Sequence, residues 1–214
     1  PPAESGLLAH DMRTSWTFGY LLLLLCMEKK GENRIRAAYE TAIRYVPKES
    51  DFDYVVGKYC FESGAWEKAV YHLERALDLF EKYHAAFFGS LMTPNVDAVK
   101  EYLVIACFNA GQRENSVKYC VRFLQENRYA MGILKVLLSA FQADGQAMAV
   151  NGDAGLQLAV QLQAFLGKLY DFSSMKERLF VLKTAKEIGY AELTQTLQTL
   201  FSPEELAVLS SRGW

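Results

Sequence analysis

Large apolar residues recur along most of the chain at spacings of three and four, and no stretch alternates with period two for long enough to read as a strand. The pattern therefore predicts an all-α protein. It breaks at residues 29–33, 47–50, 63–65, 88–95, 110–113, 142–153 and 171–173, at Gly189 and at Ser202-Pro203, which divides it into about ten helices. Two of the starts carry capping signals. Ser174 with Glu177 reads as a capping box, and Ser202-Pro203-Glu204-Glu205 places a side-chain acceptor, a preset φ and two carboxylates at a helix N-terminus.

The helical pattern also repeats. In the stretch from Asp51 to Tyr83, small and bulky residues stand at Val56, Gly57, Cys60, Gly64, Trp66, Ala69, Leu73, Ala76 and Leu77. A shift back by 34 finds Leu22, Leu23, Cys26, Ile35, Tyr39, Ala42 and Ile43, and a shift forward by 47 finds Leu103, Val104, Cys107, Gly111, Ser116, Cys120, Phe123 and Leu124. Small residues in both helices of a pair let the two approach closely, and a glycine between them (Gly64, Gly111, and Gly31 one position late) supplies the left-handed residue that ends the first helix. In these positions the chain resembles the tetratricopeptide repeat family, whose unit is a helix-turn-helix of about 34 residues. The resemblance implies an antiparallel helix-pair solenoid, a tetratricopeptide-like superhelix. It places a linker at 1–13, three helix pairs at 14–129 and a C-terminal helical cap at 130–214. Ile35 and Phe123 stand where the family usually has small residues, so those two pairs are expected to pack less closely. The longer forward shift is assigned to an extended helix and a loop over 87–94.

Composition narrows what such a chain can do. At 51% hydrophobic and 22% charged it can bury a full core. With 23 basic against 25 acidic residues, the net charge of −2 supplies no bulk attraction to nucleic acid. The longest apolar run, Tyr20 to Met27, is too short to span a bilayer, and no signal peptide is evident, so no transmembrane segment is expected. Cys26, Cys60, Cys107 and Cys120 each sit inside a helical pattern without a metal-ligand spacing, which reads as reduced core thiols and a cytoplasmic setting. The opening Pro1-Pro2-Ala3-Glu4-Ser5, without methionine, is expected of a processed or excised piece.

Candidate chemistry is sparse. Asp51-Phe52-Asp53 has the Asp-x-Asp form that can hold a divalent metal against a diphosphate, but it opens a helix, where carboxylates favour the N-terminal dipole, and it is read as a cap. His10, His72 and His84 are read as solvated or half-buried helix positions. Gly145, Gly152 and Gly155 lack the lysine and hydroxyl residue of a phosphate loop. No catalytic residue, metal ligand or cofactor is assigned. More informative are three stripes at spacings of four and three on the first helix of each pair: Tyr20, Leu24 and Met27; Tyr54, Lys58 and Phe61; Glu101, Ile105 and Phe108. In tetratricopeptide arrays this face lines the concave groove. Tyr20, Tyr54, Lys58, Phe61, Glu101, Phe108 and Asn109 are accordingly the expected groove residues, for a protein or peptide partner or a second copy of the chain. The competing expectation is that C-terminal helices cover the face.

A second resemblance extends over roughly 20–210. It rests on Ala76-Leu77-Asp78-Leu79-Phe80-Glu81-Lys82-Tyr83, on Phe87-Phe88-Gly89, on Tyr119 to Tyr129, and on Tyr170-Asp171-Phe172 leading into Lys176-Glu177-Arg178-Leu179-Phe180. Leu200-Phe201-Ser202-Pro203-Glu204-Glu205-Leu206 completes it. Their order is similar to the C-terminal tetratricopeptide region of bacterial family-2 glycosyltransferases. That resemblance implies a non-catalytic module for protein interaction, acceptor positioning or dimerisation, with the sugar-nucleotide site in an α/β domain elsewhere in a longer parent chain. The alternative is an independent tetratricopeptide adaptor or peptide-binding regulator.

Overall fold

The computed structural model describes residues 3–83, 96–148 and 154–211, with side chains from residue 14 onward and excepting 144–148 and 154–155. Among the described residues there are eleven α-helices and no strand. They fall into two compact units, Pro1–Gln112 and Arg113–Trp214. That division lies at the turn inside the third expected helix pair rather than after it. The first unit holds α1 (Ala3–Met27), α2 (Glu32–Tyr45), α3 (Ser50–Glu62), α4 (Trp66–Tyr83) and α5 (Val96–Asn109). The second holds α6 (Arg113–Glu126), α7 (Met131–Met148), α8 (Ala154–Leu166), α9 (Met175–Glu187), α10 (Ala191–Gln198) and α11 (Pro203–Ser211).

In the first unit α1 packs on α2 and α3, α3 packs most extensively on α4, and α5 lies against α4 and α3. Phe52, Leu22, Leu73 and Leu103 form its best-buried apolar centre. The close contact of α3 with α4 follows from Gly57. A Cβ there would stand 3.0 Å from Leu73 Cδ2 and 3.2 Å from His72 Cβ, so the absent side chain is the space that Leu73 fills. In the second unit α7 touches α6, α8 and α9, and α10 closes against α8 and α9. Phe123, Leu124, Leu134, Leu137, Leu138, Leu162 and Leu166 are its largest fully buried residues. Arg178 of α9 reaches the start of α11, where Nη2 donates to Glu205 Oε1 at 2.8 Å, Nη1 to the Leu200 carbonyl, and the guanidinium lies over the Phe201 ring.

One device ends four of the helices. After α3, the Gly64 N–H bonds the Phe61 carbonyl and the Ala65 N–H bonds that of Cys60; after α5, Gly111 bonds Phe108 and Gln112 bonds Cys107; after α9, Gly189 bonds Lys186 and Tyr190 bonds Ala185. These glycines have φ of 72°, 75° and 72°, the left-handed geometry of a Schellman closure. After α1 the same two bonds run from Lys29 to Cys26 and from Lys30 to Leu25, and Lys29 takes the left-handed φ of 49°. Gly31, expected to do this, instead precedes α2 at φ 91°, in an extended conformation that only glycine adopts easily.

Other boundaries differ from the sequence pattern for local reasons. Residues 3–13 are the first turns of α1 rather than a linker. At the boundary expected between 129 and 130 a short turn separates α6 from α7, where Asn127 Oδ1 takes the Tyr129 N–H in an Asx turn. The expected break over 142–153 begins later, since α7 continues to Met148. Ser174 makes no side-chain cap, and the Glu177 carboxylate, rather than closing a capping box, accepts from the Asp171 N–H at 2.6 Å. At Ser202 the expectation is met in full: Ser202 Oγ accepts from the Glu205 N–H and Glu205 Oε2 accepts from the Ser202 N–H, a reciprocal capping box. The loop expected over 87–94 lies outside the described residues.

The uneven chemistry of the four closures yields a paired prediction. Lys29→Gly removes a Cβ from a left-handed residue and is expected to stabilise the chain by about 0.5–1 kcal/mol, whereas Gly64→Ala at the same step of the next hairpin destabilises it by about 1 kcal/mol. Urea denaturation midpoints of the two variants should move in opposite directions.

Candidate functional site

The structure concentrates ionisable groups where the sequence pattern saw only a helix start. Asp51 and Asp53 do lie in the first turn of α3, but the cap comes from Glu49, whose Oε1 accepts from the Asp51 N–H at 3.2 Å. Asp53 is fully buried and gathers three helices. Its Oδ1 accepts from the Tyr39 hydroxyl of α2 at 2.6 Å and lies 2.8 Å from His72 Nδ1 of α4. Its Oδ2 has Arg75 Nε, one turn further along α4, at 3.0 Å as an ion pair rather than an aligned hydrogen bond. The His72 ring meets Tyr39 edge-on at 4.9 Å and Tyr71 at 5.0 Å. Burial, reinforced by the bond to Asp53, pushes the Tyr39 phenol far above its ordinary value, so it stays a donor. His72, expected to be a passive helix position, is thus a member of the cluster.

Beside the cluster lies a cleft of about 360 Å³, with Tyr39 and His72 in its wall together with Ile35, Val56, Tyr59 and Cys60. Across it, Lys68 Nζ of α4 meets Glu32 Oε1 of α2 at 2.5 Å, and each holds the other's charge: the Lys68 pKa is raised and that of Glu32 lowered by their hydrogen bond. Burial raises the Cys60 thiol and pushes Cys26 and Cys107 up to about 12, away from the thiolate that nucleophilic chemistry or metal binding requires. Among the described residues no group of three His, Cys, Asp or Glu side chains is placed to hold a metal ion. Asp-His-Tyr clusters can relay protons. Here the carboxylate has no exposed surface and its oxygens face Tyr39, His72 and Arg75, so the arrangement braces α2, α3 and α4 against one another.

The expected groove residues do not share one environment. Tyr20 is 48% exposed, with Leu24 and Met27 beside it at 55% and 71%. Tyr54, by contrast, is only 7% exposed, and burial raises its phenol next to Tyr102. Phe61 is half-buried, with its ring 4.7 Å from Tyr102 of α5 and 5.5 Å from Trp66. Lys58 pairs with Glu62 at 3.8 Å. Glu101 and Phe108 are half-buried and Asn109 is exposed. Tyr54 is therefore a packing residue and not an open docking anchor. The element beside the α3 stripe is α5, through Tyr102, a residue the spacing argument passed over for its neighbour Glu101. Gly145 and Gly155 belong to α7 and α8; His84 and Gly152 lie outside the described residues, as does the His10 side chain.

No protein-family model matches the chain, and no curated protein matches it.

Two predictions follow the buried carboxylates. Asp53→Ala orphans the Tyr39 hydroxyl and leaves the Arg75 charge without its partner, and is expected to cost about 3 kcal/mol in urea unfolding, since Arg75 can turn partly to water. Glu49 is 3% exposed, and burial raises its pKa even though the Ser15 hydroxyl of α1 donates to it. A raised folded-state value means the folded chain holds that proton more tightly than the unfolded one. The stability gained is full below the ordinary carboxylate value and is lost as pH rises through the raised one. Glu49→Gln, which keeps the acceptor to Asp51, should abolish that loss, so its advantage over the parent grows as pH rises above the ordinary carboxylate value, as read in denaturation experiments.

Proposed function

We propose that the chain is a non-catalytic helical-repeat module that works by binding protein, built of tetratricopeptide-like helix pairs with a C-terminal helical cap, and that it serves a cytoplasmic bacterial glycosyltransferase as its C-terminal part. The repeated pattern of small residues supports the tetratricopeptide-like reading, with the same Schellman closure at Lys29, Gly64 and Gly111. The order of segments from Ala76 to Leu206 supports the glycosyltransferase assignment. The observation that carries protein binding is the outer face of α1, where Trp16, Tyr20, Leu21, Leu24 and Met27 all stand more than two-fifths exposed. Surfaces of that kind on a folded chain mark interaction sites. No helix of the described residues is long and apolar enough to cross a membrane, so this face is not part of a span.

In this reading the ionisable cluster around Asp53 is architecture, and donor sugar is bound elsewhere. Calorimetric titration with uridine and guanosine diphosphate sugars, with manganese present, should detect no binding tighter than about 1 mM. Binding at about 1 μM would overturn the reading by making the chain itself a donor site.

A further inference from the structure

The outer face of α1 is specific enough to name its occupant, on the premise that the chain is a protein-binding module. Trp16, Tyr20, Leu24 and Met27 follow one another at spacings of four, four and three, a single ridge about 17 Å long, with Leu21 on its flank. Their exposures of 49%, 48%, 55%, 71% and 42% leave on the order of 500 Å² of apolar surface in water, at the upper end for a lone monomer. The Trp16 and Tyr20 rings already brace each other edge-on at 5.9 Å, so little side-chain freedom remains to be lost on docking. The opposite side, with Ser15, Leu22 and Cys26 buried, is the one used against α2 and α3.

We infer that a second copy of the chain packs on this ridge, α1 against α1, antiparallel about a two-fold axis. Area and charge both favour this occupant. One ridge alone falls short of a stable interface, but two identical ridges bring about 1,000 Å² of apolar surface together, which a polar rim raises into the range of specific dimers, roughly 1,200–2,000 Å². From Thr14 to Met27 the helix carries no charged residue, so a strongly charged partner would lose its own solvation without compensation, whereas the same stretch of a second copy has no charge to desolvate. The ridge is self-complementary in the antiparallel sense. Trp16 meets Met27 of the partner subunit, and Tyr20 meets Leu24 of the partner subunit, giving aromatic-thioether and aromatic-aliphatic contacts at a two-fold interface.

Light scattering on the full chain tests this, with Tyr20→Ser/Leu24→Ser as the variant. Both positions are about half exposed, so circular dichroism, and the melting temperature at a dilution where both chains are monomeric, should not change. The parent should have the mass of a dimer at about 50 μM, and the variant's dissociation constant should rise at least tenfold. Leu24→Glu and Tyr20→Lys should each be monomeric alone and should pair when mixed, because the antiparallel register sets one charge against the other. The inference is overturned by a parent that is monomeric at about 100 μM, by a double variant that dimerises as tightly as the parent, or by a mixture that fails to pair. It is equally overturned if the variant melts several degrees lower at a dilution where both are monomeric, which would make the ridge internal packing, or if a monomeric parent sediments with phosphatidylcholine vesicles and the variant does not. A monomeric parent that binds no donor sugar removes the dimer and leaves the protein-binding module. A dimer that binds donor sugar at about 1 μM removes the module reading and leaves the dimer.

Discussion

Every helix that turns sharply back must do something with the last carbonyls of its final turn, and this chain solves that problem the same way four times. One left-handed residue folds the backbone over so that its own N–H and the next one reach the Phe61 and Cys60 carbonyls, and likewise at Phe108, Lys186 and Cys26. The stop is what allows a thirteen-residue helix such as α3 to be followed within three residues by α4. Antiparallel contact is then available at once, and Gly57 lets Leu73 close it. The burial of Leu22, Phe52, Leu73 and Leu103 presupposes those stops, because a helix that overran its end would carry the following apolar face away from its partner.

Around Asp53 the chain accepts a cost that the stops do not require. A fully buried carboxylate is tolerable only with its oxygens engaged, and the engagement comes from α2 and α4 at once. Apolar contacts among these helices could slide by a turn with modest loss. A carboxylate that needs the Tyr39 hydroxyl, His72 Nδ1 and Arg75 Nε together cannot, so the cluster fixes the relative register of three helices. Glu49 does the same at the other end of the first turn, binding Ser15 of α1 while it caps α3.

The helical class and most helix boundaries were legible because period and turn residues act locally: Gly64, Gly111, Gly189 and Ser202-x-x-Glu205 state their roles within a few positions. Tertiary competition hid the rest. Ser174 and Glu177 have the spacing of a capping box, yet the Glu177 carboxylate bonds the Asp171 N–H, which spacing cannot foresee. Asp53 reads as a helix-dipole carboxylate until Tyr39, fourteen residues earlier, and His72, nineteen later, are folded against it. The burial of Tyr54 was hidden in the same way. A stripe of equal spacing recurs on α1, α3 and α5, but whether a stripe is a surface depends on what lies beside it, and in the second Tyr54 is buried while Phe61 packs on Tyr102. On α1 the stripe of Tyr20, Leu24 and Met27 stands about half exposed or more.

The four thiols give the chain a property of a different kind. Cys26, Cys60, Cys107 and Cys120 are all buried, and burial drives the pKa of Cys26 and Cys107 up to about 12. In the closed state neither of those two offers a thiolate to an alkylating reagent, and both are shielded from oxidants. Modification must then wait for a helix to lift away. Cys26 sits at the end of α1, Cys60 near that of α3 and Cys107 near that of α5, so their labelling rates record how often each of these three helices opens, position by position along the first unit. The same residues that fill the core serve as an internal chronometer of its breathing.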